Sequence, residues 1–403
     1  GDESECLRNV QKGTLPMAMA GIANLVPFEK KLGLLTLPYL FSNIDEVVTG
    51  TNSAPAELLN SYATKSGFRI LTWTYTDFRY ISNSKRPITK MADMQGLKFR
   101  VPQSAVLIAA YKAFGGSPTP ISWAETFTAL QQGVVDGQCY GYIGFKANKF
   151  NEANQKYLTE VHYTYQLQPL VISERVFKKM TPEMQKLLID AGKYAQEKVL
   201  KYQIEQADAA KKYLIDNGLQ VSQLEDEDVW KKAAMEKVWP EMADFVGGKE
   251  TINAYLKACI DTVMARHGYT IARSVTMGRD LMGTHRLFGR EDATEGLHAF
   301  VSDAGDLMLQ VAGLPGGIEA VEDGEVVTME AAPGGARTER LLADQHDFCA
   351  VYDEIAEDLA AFGITNTVRY KAAPDTAFCR EMRAVADVEA RAGMAERDGI
   401  RAS

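Results

Sequence analysis

This 403-residue sequence is short of the groups that most often carry chemistry. It holds five histidines, and only His162 and His267 fall in its first two-thirds. HExxH, GxSxG and a glycine-rich phosphate loop are absent, so zinc-dependent hydrolysis, serine-nucleophile chemistry and phosphate-loop nucleotide binding have no signature here. The cysteines Cys6, Cys139, Cys259, Cys349 and Cys379 stand far apart with no CxxC pair, which supports neither a zinc site nor a dense disulfide framework. No apolar run reaches the ~20 residues that a bilayer-spanning helix needs, and the stretch Leu32 to Phe41 is broken by Gly33, Thr36 and Pro38. Direct membrane insertion is not expected. An excess of basic charge is also lacking: the net charge is -9, whereas nucleic-acid binders concentrate cations. Neither nucleic acid nor a cofactor is an expected partner.

The composition, 46% hydrophobic and 24% charged, is that of a water-soluble globular protein, and the length calls for two to four packed units. The character of the chain changes near residue 260. Up to Lys257 the cations are mostly lysine, with arginine only at positions 8, 69, 79, 86, 100 and 175; beyond it Lys371 is the sole lysine. All four tryptophans precede the change, and Asn366 is the only asparagine after it. This divides the chain into a region 1–260, a junction 261–276 and a C-terminal region 277–403, and suggests that two sequences of different origin are joined. One protein with a biased C-terminal region is the alternative. The opening GDESECLRNVQKG reads as an internal helix, so a preceding segment is expected to be missing.

In the front region, Asp2 and Glu5 form a D-x-x-E helix start and Gly13 a stop. TLPMAMAG and KKLGLLTLPYLF alternate apolar stretches with Pro and Gly, as buried strands and their exit loops do. Phe68 to Thr74, Phe78 to Ser82, Gly96 to Val101 and Asp136 to Gly141 read as strands. Ala105 to Phe114 is helical up to Gly115-Gly116, and the capping box Ser122-Trp123-Ala124-Glu125 opens a helix that stops at Gly133. From Thr181-Pro182 helical spacing runs to Asn217-Gly218, a rod of about 50 Å at 1.5 Å per residue. Alternating strands and helices predict an α/β fold with a ligand site at facing loops.

Arg79 and Arg100 each follow a strand-like aromatic stretch, in YTDFRYISNS and GLKFRVP, and are expected to point inward. A buried guanidinium needs a partner, and its planar fork matches a carboxylate with two parallel hydrogen bonds. Two partners remain open at this point: a ligand carboxylate, or an internal one such as Asp77.

The ordered series GTLPMAMAG, LPYLF, FRYISNSKRPI, MADMQGLKFRVP, GGSPTPISWAETFTALQQGVVDG and LVISERVFKKMTPEMQKLL resembles the DctP-type solute-binding proteins of TRAP transporters from Gly1 to about Lys257. The resemblance implies a two-lobed, periplasmic-binding-protein-like α/β fold with a long spine helix, located in the periplasm. It implies a small organic acid as ligand and the TRAP membrane subunits as partners, with no enzymatic activity. It places Arg100 on the ligand carboxylate and Arg79 on a second contact. Trp123 then lines the cavity; Tyr140 and Tyr75 are further candidate ligand residues of this sequence, not carried over from the family.

The sequence departs from the family in two places. After VDGQ, where many relatives carry Glu-Asn and the asparagine reaches the ligand, Cys139 and Tyr140 stand instead; Tyr140 offers one hydroxyl on a flat apolar ring. The family's first strand, first helix and second strand should also precede Gly1. DGEVVTMEAAPGGARTE, Asp323 to Glu339, superficially resembles that second strand and turn and is a candidate to replace it.

In the C-terminal region Leu307 to Val311 and Glu325 to Ala331 read as strands, while Glu339 to Phe362 and Asp375 to Glu396 carry helical spacing, together a small α+β domain. His285, His298, His346, Cys349 and Cys379 offer metal or thiol chemistry, but only His346 and Cys349 share a helical i, i+3 spacing. An enzyme or a sensory protein that uses this region is the alternative to ligand capture.

Overall fold

The computed structural model describes residues 2–266 and, beyond them, the segments 270–277, 283–289, 295–302, 307–313, 325–331 and 380–384 with a few isolated positions. The chain divides into two compact units, residues 1–256 and 257–403.

The first unit opens with the helix Glu3–Lys12. Asp2 accepts the Glu5 amide at 2.7 Å, which satisfies one of the free donors of the first turn, and Leu7 and Val10 bury one face. Two sheets follow. In the smaller, β1 (Met17–Met19) and β2 (Phe68–Phe78) flank β8 (Tyr165–Ser173), both antiparallel to it. The larger runs in the order β5-β4-β6-β3-β7-β9, comprising β5 (Ser117–Pro120), β4 (Lys98–Val101), β6 (Gly137–Cys139), β3 (Ile81–Asn83), β7 (Tyr157–Glu160) and β9 (Gln220–Gln223). Pairs β4/β5, β4/β6 and β7/β9 are parallel; pairs β3/β6 and β3/β7 are antiparallel. This mixed α/β arrangement is the expected fold class.

The chain crosses between the sheets side by side at residues 79–80 and 161–164, where the Arg79 amide donates to the Thr164 carbonyl at 2.9 Å. The spine helix Pro182–Asp216 packs against β2. Thr181 accepts the Met184 amide at 3.4 Å and Pro182 takes the first turn, where its missing N–H is not needed. The approach to β2 requires glycine: a Cβ on Gly192 would lie 2.1 Å from the Leu71 carbonyl oxygen.

One expected strand is a helix. Lys30–Thr36 forms a 3-10 turn whose leucines are buried, with Thr36 Oγ1 donating to the Gly33 carbonyl at 2.7 Å. A short apolar run can be buried as either element, and here no strand lies alongside to pair with it. The capping box at Ser122 is also modified: the hydroxyl donates to the Glu125 carboxylate at 2.6 Å instead of accepting its amide.

The second unit contains a closed barrel in the order β10-β11-β12-β13-β15-β14, formed by β10 (Thr270–Met277), β11 (Gly283–Gly289), β12 (Glu295–Ser302), β13 (Leu307–Gly313), β15 (Arg380–Ala384) and β14 (Glu325–Ala331). Both expected strands are present. Two expectations are corrected. Arg380–Ala384, inside the expected helix Asp375 to Glu396, is a strand, because its antiparallel register with β14 from Ala331/Arg380 to Val327/Ala384 helps close the barrel. Glu325–Ala331, the strand within Asp323 to Glu339, pairs with β10 and β15 and so belongs to the barrel, not to the first unit's sheets. Of Glu339 to Phe362, only Glu339, Leu341, Ala343, Gln345 and Ile355 are described, each helical. His346, Cys349 and Cys379 lie outside the described residues.

Candidate functional site

A cavity of about 220 Å³ opens between the two sheets of the first unit. That is several times the ~30 Å³ share of one water molecule, so the space suits a small organic molecule. One wall comes from the larger sheet and its loops and carries Arg79, Arg100, Trp123 and Tyr140; the other carries Glu3, Gly21 and Asn24 with Gln166 and Gln168 of β8.

Arg100 is buried on β4, where its Nε donates to the Ile121 carbonyl at 3.0 Å. Its guanidinium lies 5.4 Å from the centre of the Trp123 ring, within cation–π range. Burial lowers its pKa to about 10, with the nearby Arg79 adding to the fall and Cys139 opposing it, so it stays cationic at neutral pH. Arg79, also buried, donates through Nη1 to the carbonyl and the sulfur of Cys139 at 3.3 and 3.5 Å. Among the described residues neither guanidinium has a carboxylate within ion-pair distance. Asp77, the internal candidate, instead accepts the amides of Phe78 and Tyr142 at 2.8 and 3.1 Å. Two buried cations therefore face the cavity without a carboxylate in ion-pair contact.

The aromatic residues fill the space beside them. Trp123 and Tyr140 lie 4.8 Å apart at 30°, and the Tyr140 ring sits 5.8 Å from the Arg79 guanidinium. Gln168 donates to the Tyr140 hydroxyl at 3.3 Å. The ring position depends on Gly144, since a Cβ there would lie 1.7 Å from a ring carbon of Tyr140.

The opposite wall was not identified from the sequence. Glu3 reaches in from the first turn of its helix, accepting the Gly21 amide at 3.3 Å and the Asn24 side-chain amide. Desolvation raises its pKa, while those two donors and the two arginines oppose the rise. Gln166 is buried and its Oε1 has no hydrogen-bond partner. The alternation of Gln166 and Gln168 with Leu167 and Pro169 in YQLQP was the available signal, since strand residues two apart share a face.

Of the five residues expected at the site, Arg79, Arg100, Trp123 and Tyr140 line this cavity together. Tyr75 does not. Its hydroxyl is buried against Thr51 Oγ1 at 2.9 Å and accepts from Asn52 at 3.4 Å, on the face of β2 opposite Thr74 and Thr76, whose hydroxyls bond to β8. His285 and His298 fall on the adjacent strands β11 and β12, and no metal-binding group of His, Cys, Asp and Glu occurs among the described residues.

Residues 1–245 match the DctP family, described as bacterial extracellular solute-binding protein, family 7. The chain belongs to this family. Over 196 residues it is 35% identical to a solute-binding protein of Verminephrobacter eiseniae, a stretch that covers 48% of this chain and 57% of that one. The chain thus spans under three-fifths of that curated relative. Its fold matches a TRAP periplasmic solute-binding protein from Polaromonas sp. JS666 bound to D-erythronate, with TM-score 0.60 and 29% identity, covering 63% of this chain and 84% of that one. It also matches one from Shewanella oneidensis with bound succinate, with TM-score 0.58 and 27% identity over 64% and 84%. Family 7 is a solute-binding family, and among the described residues no helix is long and apolar enough to cross a membrane.

Proposed function

We propose that the first unit captures a small organic carboxylate between its two sheets and delivers it, in the periplasm, to the membrane subunits of a TRAP transporter, with no chemical step. The observation that carries this reading is the pair Arg79 and Arg100: buried, cavity-facing and without a carboxylate of their own. An uncompensated buried charge costs several kcal/mol, and a ligand carboxylate removes that cost while matching the guanidinium fork. The two solved relatives above hold D-erythronate and succinate, both carboxylates.

In this reading Arg100 grips the carboxylate, Arg79 supports it, and Trp123 and Tyr140 cover the ligand body. The two crossovers at residues 79–80 and 161–164 act as the hinge over which the sheets close. Tyr75 braces β2 and stays out of the ligand set. The region 277–403 is a separately derived domain attached through the junction 261–276, and ligand capture does not draw on it.

A thermal-shift panel of small organic acids on the full chain tests the reading. An acid present at about 100 times its dissociation constant stabilises the native state by roughly 2.7 kcal/mol, which raises the melting temperature of a unit this size by about 5–10 °C. Arg100→Ala should remove the shift. A full shift in Arg100→Ala, or no shift with any acid in the wild type, contradicts the reading.

A further inference from the structure

The two walls of the cavity differ in what they offer a ligand. On the larger-sheet side are the two guanidiniums, both donors and both cationic. On the other side the Gly21 amide and the Asn24 side-chain amide donate to Glu3, and the Gln168 side-chain amide donates to the Tyr140 hydroxyl. That wall presents no cation; it presents the Glu3 carboxylate and the side-chain amide of buried Gln166, whose Oε1 is an unpartnered acceptor.

From this asymmetry we infer that the site selects monocarboxylic acids bearing hydroxyl groups and rejects dicarboxylates, with Glu3 as the residue that sets the choice. The inference rests on the carboxylate-capture reading above and narrows it.

Charge balance argues first. Arg79 and Arg100 contribute two positive charges and Glu3 one negative, so one ligand carboxylate neutralises the closed site. A second carboxylate at that wall would sit against Glu3 with no cation beside it, and like charges a few ångströms apart in a dry cleft repel strongly. Asp2, exposed at the cavity edge, adds negative charge on the same side. Hydrogen-bond satisfaction argues second. The Glu3 carboxylate accepts, and the buried Oε1 of Gln166 is an acceptor left without a donor, which is costly, so a far end of the ligand that donates is favoured. Hydroxyl groups do this without adding charge. An ammonium group also donates, but an amino acid has no net charge and would leave the two guanidiniums outnumbering Glu3.

The experiment is calorimetric titration of the full chain with D-glucuronate, succinate and L-serine, in wild type, Glu3→Gln and Gln166→Leu. Wild type should bind D-glucuronate at least about tenfold more tightly than succinate or L-serine. Glu3→Gln keeps the side-chain shape and removes the charge, and should raise the succinate-to-glucuronate affinity ratio at least about tenfold. Gln166→Leu should weaken D-glucuronate about fivefold or more and leave propionate, which has no hydroxyl, unchanged. Succinate or L-serine as the tighter wild-type ligand overturns the inference, as does a ratio indifferent to Glu3→Gln. Should that variant fail to fold, the response of glucuronate and propionate to Gln166→Leu decides. Failure of every carboxylate to bind wild type would instead sink the capture reading itself, a result distinct from tight binding of the wrong class.

Discussion

The guanidinium of Arg100 stands 5.4 Å from the centre of the Trp123 ring, and its Nε is tied to the carbonyl of Ile121, two residues before that tryptophan. One loop therefore holds the cation from below and covers it from the side. The remaining guanidinium nitrogens are left for the cavity. A positioned, charged fork under an aromatic cover is suited to holding an anion still.

Trp123→Leu removes the π face while leaving an apolar side chain. Binding of a small organic acid should weaken about tenfold, since a partly desolvated cation–π contact is worth about 1 kcal/mol or more. The ligand-free melting temperature should change little. Calorimetric titration alongside a melting curve separates the two effects.

Tyr75→Phe tests where the structure puts that residue. The variant loses a buried hydrogen bond, and Thr51 keeps its bond to the Val47 carbonyl, so the stability loss should be about 1 kcal/mol in denaturant unfolding. Affinity for organic acids should be unchanged, because the hydroxyl does not reach the cavity.

Gly192→Ala should loosen the spine helix. The added methyl would meet the Leu71 carbonyl at 2.1 Å, and overpacking of this kind costs about 1–3 kcal/mol. Urea unfolding followed by circular dichroism reads the loss directly.

Stability should fall with rising pH through one buried acid. Burial raises the pKa of Glu46 to about 7, partly offset by the backbone amides of Ser42 and Asn43. The folded state therefore holds this proton to higher pH than the unfolded chain does, so its stabilising effect is full below about pH 4.5 and lost as pH rises toward 7. The contribution is on the order of 3 kcal/mol. The stability difference between wild type and Glu46→Gln, measured from pH 4 to pH 8, isolates it: Glu46→Gln should gain relative to wild type across that interval.

Local signals were legible in the sequence wherever neighbours in the chain do the bonding. Asp2 caps its helix, Thr181-Pro182 opens the spine helix and Asn217 follows its end because each uses groups within four residues. Partners distant in sequence defeated the same reading. Lys30–Thr36 and Arg380–Ala384 took conformations set by what packs or pairs against them, which apolar spacing does not encode. At the cavity, the guanidiniums could be suspected from cations that follow aromatic strands. Glu3 could not, since its entry depends on the β1 exit at Gly21 and on Asn24, both far from it in the chain.

The central claim is that the counter-ion of Arg100 is a carboxylate brought by the ligand. The most direct test compares D-glucuronate with its methyl ester, which has the same shape and no charge, on wild type and Arg100→Ala. Wild type should prefer the acid by about a hundredfold or more, and Arg100→Ala should lose most of this preference. Equal binding of acid and ester by wild type, or an unchanged preference in Arg100→Ala, would contradict the claim.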